Sequence, residues 1–548
     1  MRRDLGRLAA AEFDLLVIGG GIHGLAAAYD GALRGLSVAL VERGDFGGEA
    51  SGNHLKTVHG GLRYLQTADL RRMRESIVER RTVARIAPGA ITILPYLVPT
   101  SRKLTRSRSA MRAAFLADRC IGFDRNRGLP PHLHLPAGRV VSRDECLRLF
   151  PGATPHGLTG GAIWHDYQMR HTDRLTLSFG HAAARAGAAL ANYATAVSPL
   201  HRHGRVTGMR VRDTLTGNEF DARARVTLNA AGAGAPALLD ALGDRRPLIM
   251  LKALNVVTTR PMAGAALGSS LPDGRMLFLV PWQGRMMVGT SQSPSPVRPD
   301  EGGVTEGELD AFLADVATAF PALDLHPDEI SLVHRGIVPA EWTRSRVLAL
   351  KGHIEIRDHA RDGADGALSL IGVKYTTGRG VAEAAVDAVV RKLGTRVGPC
   401  RTADQPLPGN EEPAGAVAGS LLRDWPEVVD RSQVSRLADV YGTLAREIAE
   451  LAGREPALAA GLPGTSSAIG AEVAHAVRGE MACRLTDVVL RRLPIGAAGY
   501  PGKATVEAAA HVAGAELGWD AERRRAEVAA VETAYAPAPL APRGVSGR

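Results

Sequence analysis

Apolar and polar positions in the first part of the chain follow the pattern of a βαβ unit. An apolar strand over 14–18 runs into a glycine-rich turn over 19–24, and an alanine-rich helix is expected over 25–33. A second apolar run, 36–41, ends at Glu42. A strand, a tight turn, a helix and a second strand in this order are typical of a parallel α/β sheet.

Strand and helix patterns continue along the chain and predict a mixed α/β and α+β protein. Residues 206–212 and 219–228 alternate in the manner of paired strands, and 276–281 with 285–290 predict a hairpin. The other elements expected are helices over 173–186 and 381–392 and a strand over 368–372.

The length and the carboxy-terminal pattern indicate several domains. At about 150 residues per domain, the 548 residues should form three or four units. Pro406 and Pro408 introduce a region of helical periodicity that extends to about 535. Residues 536–548 are rich in Pro, Ala and Gly, so a disordered tail is expected there.

Cysteine spacing and hydropathy exclude several classes of protein. The four cysteines, at 120, 146, 400 and 483, form no ligand spacing, so neither a disulfide framework nor a metal site is expected. No apolar run approaches the roughly 20 residues of a membrane span, and the amino terminus lacks an apolar signal region. The sequence therefore predicts a protein kept on the cytoplasmic side.

The net charge of +10 comes largely from arginine clusters at 71–74, 80–81 and 102–112. Two interpretations stay open for these clusters: solvated helix faces, or contact with the anionic surface of a membrane. Nucleic acid is not expected as a partner, because no helix-turn-helix, zinc finger or aromatic-basic RNA motif accompanies the charge.

The glycine turn and Glu42 have the residue types that an adenine dinucleotide requires. Gly19 permits the tight turn, Gly21 lets the backbone approach a pyrophosphate, and Gly24 lets the helix pack closely on the strand. Glu42 follows the second strand, where a carboxylate can accept hydrogen bonds from a ribose diol. The three glycines alone would be weak evidence, but the flanking strand, helix and acidic residue favour a dinucleotide site.

Five motifs occur in the order seen in one enzyme family. They are 19–24 (GGGIHG), 56–65 (KTVHGGLRYL), 229–232 (NAAG), 281–282 with 289–290 (PW and GT) and 372–377 (GVKYTT). In this order the chain resembles the FAD-dependent glycerol-3-phosphate dehydrogenases over almost its whole length. The segment around His59 is specific to them, whereas the glycine turn is shared with many flavin and nicotinamide enzymes.

This resemblance implies a glutathione-reductase-like FAD-binding domain, a mixed-sheet substrate domain like that of D-amino-acid oxidase relatives, and a helical carboxy-terminal domain. The expected boundaries are 1–100, 160–246 and 346–404 for the FAD domain, 101–159 and 247–345 for the substrate domain, and 405–535 for the helical domain. The implied reaction oxidises sn-glycerol 3-phosphate to dihydroxyacetone phosphate. The resemblance also implies that electrons pass from FAD to a quinone and that the protein binds peripherally to the inner face of the membrane. Whether the protein forms a homodimer is left open.

The resemblance also implies site residues. Those expected at the cofactor are Gly19, Gly21, Gly24, Glu42, Ser51, Lys56, His59, Gly60, Val197, Ala231, Gly232, Gly372, Lys374, Thr376 and Thr377. The substrate residues are expected to be Arg63, Tyr64, Thr290, Arg335 and Lys374, and the catalytic residues His59, Arg63 and Lys374.

Several of these residues have a second interpretation. Arg63 could instead pair with Asp69 or Glu75, and His59 could be the catalytic base or a structural side chain beside the flavin. The hydroxyls of 376–377 could cap the next helix, whose positive end could also face the flavin. Likewise, Thr172 is expected to cap the helix that contains Asp173.

The chain departs from the family where the substrate should bind. The family usually has an arginine, directed at the substrate phosphate, where this chain has Val338, and a histidine where it has Asn255. Arg335 lies at an odd offset from 338, so it could replace that charge only if Gly336 bends the strand. Arg344 and Arg346 are further candidates from the loop beyond.

These departures leave three hypotheses open. The first is oxidation of glycerol 3-phosphate or a close relative. The second is an FAD enzyme of the same fold that acts on another hydroxy compound or an amine. The third is a flavin-binding protein without turnover.

Overall fold

The computed structural model describes residues 1–153, 157–343, 346–465 and 468–535. The tail expected to be disordered, 536–548, and the candidate Arg344 lie outside these residues. In chain order, the helices described are α1 (Leu5–Ala10), α2 (Ile22–Leu33), α3 (Leu70–Ile86), α4 (Arg108–Ile121), α5 (Arg143–Leu149), α6 (Thr172–Arg185), α7 (Ala235–Ala241), α8 (Glu306–Ala319), α9 (Gly378–Leu393), α10 (Ala414–Asp424), α11 (Arg431–Tyr441), α12 (Ala445–Arg454), α13 (Gly470–Glu480), α14 (Leu485–Asp487), α15 (Lys503–Leu517) and α16 (Ala521–Tyr535).

The strands of the described residues form two sheets. In chain order they are β1 (Glu12–Ile18), β2 (Val38–Val41), β3 (Thr57–Val58), β4 (Ile91–Ser101), β5 (Arg139–Val141), β6 (Leu158–Met169), β7 (Ala189–Ala191), β8 (Ala194–Arg202), β9 (Arg205–Asp213), β10 (Glu219–Asn229), β11 (Ile249–Pro261), β12 (Ala266–Ser270), β13 (Met276–Trp282), β14 (Arg285–Gln292), β15 (Ile330–Trp342), β16 (Leu348–Leu350), β17 (Glu355–Asp358) and β18 (Ala367–Ile371).

The first sheet has the strand order β17-β18-β10-β1-β2-β7, and β9 joins β8 to β10. β1 pairs in parallel with both β2 and β10, so the glycine turn leaves the sheet at its centre. The apolar strands form a continuous core with α2, α6 and α9, in which Leu15, Val17 and Leu25 are fully buried. Ligands of such sheets bind beyond the carboxyl ends of the parallel strands.

The second sheet has the order β16-β15-β11-β14-β13-β12-β4-β6-β3, with β5 on β6. It includes β4 and β6, which pair antiparallel along nearly their whole lengths. The expected boundaries group most of β4 and β6 with the FAD domain, whereas both strands lie in the second sheet. Their backbone hydrogen bonds join them to each other and, through β12, to the substrate half of the chain.

The carboxy-terminal region is helical, as the sequence predicts, and buried ion pairs attach it to the first sheet. α14 continues into a π-helical turn, Val488–Arg492. The Arg492 guanidinium donates two hydrogen bonds of 2.7 Å to Asp45, and both side chains are 1% exposed. Because Asp45 lies three residues after Glu42, this pair holds the loop that follows β2. None of the helices in the described ranges is long and apolar enough to cross a membrane.

The start of α6 differs from the expectation at Thr172. The helix begins at Thr172, and His171 occupies the position before it without a capping side-chain hydrogen bond. The Thr172 hydroxyl is buried with no hydrogen-bond partner among the described residues. Asp173 does lie in the first turn, where a carboxylate favours the helix dipole.

Candidate active site

Residues from both sheets line one cavity of about 1210 Å³. This volume exceeds the ~300–1,000 Å³ of typical small-molecule sites. The turn after β1, the segment around His59 and residues 372–376 all reach it. The cavity therefore has room for a large cofactor and a substrate side by side.

The glycine turn is packed so closely that a side chain at Gly19 or Gly24 would clash with backbone atoms. A Cβ on Gly19 would lie 2.6 Å from the carbonyl oxygen of Ala230, and one on Gly24 would lie 1.8 Å from that of Gly19. Gly19 also has φ of +109°, which glycine adopts without strain. α2 thus begins directly against β1 and β10, with Gly21 at the cavity.

Glu42 organises the other side of the turn. Its carboxylate accepts hydrogen bonds from the backbone N–H groups of Gly20 (2.6 Å) and Gly44 (2.8 Å). Burial raises its pKa, and these hydrogen bonds oppose the rise. The Glu42 carbonyl accepts from Ala194, so β8 and Val197 line the cavity beside it. Ser51 accepts a hydrogen bond of 3.0 Å from the N–H of Ile22, at the start of α2.

The segment around His59 contacts the segment around Lys374. The backbone N–H of His59 donates to the Thr376 hydroxyl at 3.2 Å. The His54 ring lies 4.9 Å from the ring of Tyr375. The Nε2 atoms of His54 and His23 are buried without a hydrogen-bond partner among the described residues, and both side chains line the cavity. A bound polar ligand would satisfy them.

Three cations surround the buried ring of Tyr64. The Lys374 Nζ lies 4.2 Å from the ring centroid, the Arg72 guanidinium 4.4 Å and the Arg63 guanidinium 5.9 Å. All four residues line the cavity. They form its cationic end, which we call the Tyr64 cluster: Arg63, Tyr64, Arg72 and Lys374.

Burial and the cluster's charges shift the pKa of two groups there. Burial, reinforced by Arg72, lowers the pKa of Lys374 to about 7. Burial, followed by the charges of Lys374 and Arg63, lowers the pKa of His59 to about 3. At neutral pH, His59 is therefore uncharged, and Lys374 is divided between its two protonation states.

The chain matches known protein families over both of its parts. Residues 14–368 match the family of FAD dependent oxidoreductases, and 400–524 match the C-terminal domain of alpha-glycerophosphate oxidase. The chain is 30% identical over 515 residues to a glycerol-3-phosphate dehydrogenase of Synechocystis sp., covering 90% of each chain. It is also 30% identical over 540 residues to glycerol-3-phosphate dehydrogenase 2 of Mycobacterium bovis, covering 95% of this chain and 88% of the relative. The chain belongs to the FAD-dependent glycerol-3-phosphate dehydrogenase family.

A solved structure of this dehydrogenase family has the same fold. The glycerol-3-phosphate dehydrogenase of Bacillus halodurans, complexed with FAD, superposes with a TM-score of 0.73 at 24% identity, covering 97% of this chain and 96% of that one. The predicted fold class, enzyme class and cofactor are confirmed: the protein is an FAD-dependent oxidoreductase. The glycine turn, Glu42 and the unpartnered His23 and His54 fit the cofactor.

Most of the cofactor residues expected for the dehydrogenase family line the cavity. These are Gly19, Gly21, Glu42, Ser51, His59, Val197, Ala231, Gly232, Gly372, Lys374 and Thr376. Gly24 acts through the close packing of α2 on the turn. Arg63, Tyr64 and Thr290 line the cavity as well.

Four of the expected residues do not line the cavity. Arg335 is exposed and lines a separate pocket on the other face of β15, as its odd offset from Val338 requires. Lys56 is fully buried beside that pocket, where its Nζ donates to the Gly52 carbonyl. Gly60 packs against Arg80 and donates its N–H to Asp166. Thr377 is buried away from the cavity lining.

Contacts of the described residues bear on two of the alternative interpretations. Asp69 caps α3, and Glu75 pairs with Arg71, so neither carboxylate forms an ion pair with Arg63 among the described residues. The hydroxyl of Thr376 accepts a hydrogen bond from His59, and α9 has no capping side-chain hydrogen bond. The Thr376 hydroxyl thus makes a tertiary contact, and the interpretation in which these hydroxyls cap the helix has no hydrogen bond behind it in the described residues.

The positions that depart from the dehydrogenase family line the cavity. Val338 is 8% exposed and packs with Leu251, Ala340 and Leu348. Asn255 accepts a hydrogen bond of 2.7 Å from the Thr290 hydroxyl. Arg72 also lines the cavity, although the sequence did not identify it as a site residue, because its run of arginines is typical of a solvated helix face.

Proposed function

We propose that the protein oxidises sn-glycerol 3-phosphate to dihydroxyacetone phosphate and passes the electrons through FAD to a quinone. The Tyr64 cluster is the observation that carries the proposal, because it concentrates positive charge in a cavity that also contains the FAD residues. Arginine forks suit the oxygens of a phosphate. The dehydrogenases of Synechocystis and Mycobacterium bovis add support through their names.

In this proposal, Arg63 and Lys374 have different roles at the substrate. Arg63 binds phosphate oxygens, and neutral Lys374 accepts the proton of the hydroxyl that is oxidised. A base is most effective when its pKa lies near the working pH, which favours Lys374 (about 7) over His59 (about 3). His59 stays neutral and orients groups by hydrogen bonding. Bound FAD supplies the hydride acceptor.

The substrate proposal is tested by anaerobic reduction of the flavin. We expect glycerol 3-phosphate to bleach the oxidised flavin absorbance, and glycerol, hydroxy acids and amines to bleach it far more slowly. Faster reduction by one of those other compounds would favour the second hypothesis, to which the apolar surroundings of Val338 lend weight. A flavin that none of them reduces would favour the non-catalytic hypothesis.

The pKa of Lys374 sets the expected pH dependence. The neutral amine is the active form, and its fraction rises as pH increases through about 7. We therefore expect kcat/KM for glycerol 3-phosphate to rise with pH below about 7 and to level above it. Steady-state rates with an artificial acceptor measure this profile. A kcat/KM that falls as pH rises through the same range would assign Lys374 to phosphate binding as a cation.

The surface around α4 supports access for a quinone from a membrane. Leu104, Leu116 and Phe123 are 86%, 64% and 78% exposed. Among the residues that the structure describes, Arg102, Lys103, Arg112 and Arg119 have no ion-pair partner. We call these seven residues the α4 surface. The neighbouring apolar side chains of Ala110, Met111 and Ala114 line the cavity, so an apolar acceptor could enter beside this surface.

Substitution of the α4 surface tests the membrane proposal. We expect Leu116→Asp combined with Phe123→Asp to reduce sedimentation with phosphatidylglycerol vesicles, because it removes apolar area and adds negative charge. Leu215→Asp combined with Val347→Asp, at two exposed positions outside the α4 surface, adds the same negative charge and is the matched control. Equal vesicle binding by both variants would contradict the proposal.

Light scattering of the same preparations measures whether the protein is a homodimer.

A further inference from the structure

We propose that Arg72 binds the substrate phosphate and provides the positive charge that the family usually supplies from the position of Val338. This assignment rests on the proposed function and names a specificity residue within it. Arg335 cannot supply that charge, since its side chain lies on the other face of β15. The position of Val338 itself is enclosed by aliphatic side chains.

The side chain of Arg72 includes a buried hydrogen-bond donor without an acceptor. Its Nε is buried and has no hydrogen-bond partner among the described residues, and no carboxylate in the described ranges forms an ion pair with it. A buried N–H group without an acceptor is costly, whereas an anion in the cavity would satisfy it. The neighbouring Arg71 differs, because its side chain is 89% exposed and pairs with Glu75 at 3.1 Å.

The fold directs Arg72 to the same place as Arg63 and Lys374. The Asp69 carboxylate accepts the backbone N–H of Arg72 at 3.1 Å and thereby fixes the first turn of α3. The guanidinium then lies over the Tyr64 ring, close to which Lys374 and Arg63 also lie. A phosphate beside this ring would lie between two arginine forks, which leaves Lys374 free to take up the hydroxyl proton.

The experiment compares Arg72→Leu with the matched control Arg71→Leu, using flavin reduction by glycerol 3-phosphate and by glycerol. Loss of a charged hydrogen bond predicts a KM for glycerol 3-phosphate that is about 10- to 100-fold higher in Arg72→Leu. Measured at a pH high enough to keep Lys374 neutral in every variant, the slow reduction by glycerol, which has no phosphate, should change far less than reduction by glycerol 3-phosphate. Arg71→Leu should behave as the unmodified protein with both compounds. Equal KM values for the two variants, or equal losses with glycerol and glycerol 3-phosphate, would overturn the assignment.

Two further variants keep the test decisive. Arg72→Lys retains the charge without the fork and should give an intermediate KM, even if Arg72→Leu folds poorly. Val338→Arg, added to Arg72→Leu, should recover part of the lost affinity, because it restores a cation in the same cavity. A KM for Arg72→Lys equal to that of the unmodified protein, or no recovery in the double variant, would count against phosphate binding by Arg72.

Failure of the Arg72 assignment can be distinguished from failure of the proposed function. If the unmodified protein is not reduced by glycerol 3-phosphate, the proposed function fails. Titration with inorganic phosphate, followed by the flavin spectrum, then tests Arg72 alone. Weaker phosphate binding in Arg72→Leu than in Arg71→Leu would still support an anion site, and equal binding would overturn it.

Discussion

Replacing Lys374 by methionine is expected to slow flavin reduction by glycerol 3-phosphate about 100- to 10,000-fold, the range typical of a lost general base. Methionine keeps an unbranched side chain of similar length, so packing on Tyr64 should persist while the amine is lost. Stopped-flow absorbance under anaerobic conditions measures the rate directly. The pH dependence of kcat/KM below about 7 should disappear in the same variant.

A suitable control for this substitution is Lys503→Met. Lys503 begins α15 and its side chain is 72% exposed, far along the chain from the cavity residues. Both variants should retain the absorbance of bound FAD, which shows that the cofactor site has formed. A Lys374→Met protein that is reduced as fast as Lys503→Met would remove Lys374 from the proton transfer.

Replacing Gly24 by alanine is expected to abolish stable FAD binding. Alanine normally stabilises a helix relative to glycine by about 1 kcal/mol. At Gly24 the added Cβ would lie 1.8 Å from the Gly19 carbonyl oxygen, so α2 would have to move away from the turn. We expect FAD content after gel filtration to fall below about a tenth of the normal value, with a loss of unfolding free energy of about 3 kcal/mol or more.

Gly419 in α10 provides the matched control, because a Cβ there would meet no atom within 4 Å. Gly419→Ala should keep its FAD and unfold at the same or a slightly higher temperature. Full FAD occupancy in Gly24→Ala would contradict the view that this close approach forms the cofactor site.

The cofactor half of the molecule could be predicted from the sequence because its signals are local. The glycine turn, the apolar strand before it and Glu42 lie within one βαβ unit, so the residues that contact one another are close in sequence. The hairpin of β13 and β14 is equally local. In contrast, the sequence did not predict the pairing of β4 with β6, because the two strands lie far apart in sequence.

The substrate end was harder to predict, because its residues meet only through tertiary contacts. Arg72 and Arg71 are adjacent in one basic run, yet one lines the cavity and the other is exposed. Helical periodicity does carry a signal, since Arg72, Ser76 and Arg80 follow at intervals of four and the last two are buried. The hydroxyl of Thr376 offered no comparable signal, because its partner is a backbone group of the distant His59.

The most direct test of the proposed reaction is an anaerobic titration of the FAD-loaded protein with sn-glycerol 3-phosphate, with the product measured in the same sample. We expect the oxidised flavin absorbance to disappear as substrate is added, with one molecule of dihydroxyacetone phosphate formed for each flavin reduced. A flavin that stays oxidised at millimolar substrate, or that is reduced without forming dihydroxyacetone phosphate, would contradict the account.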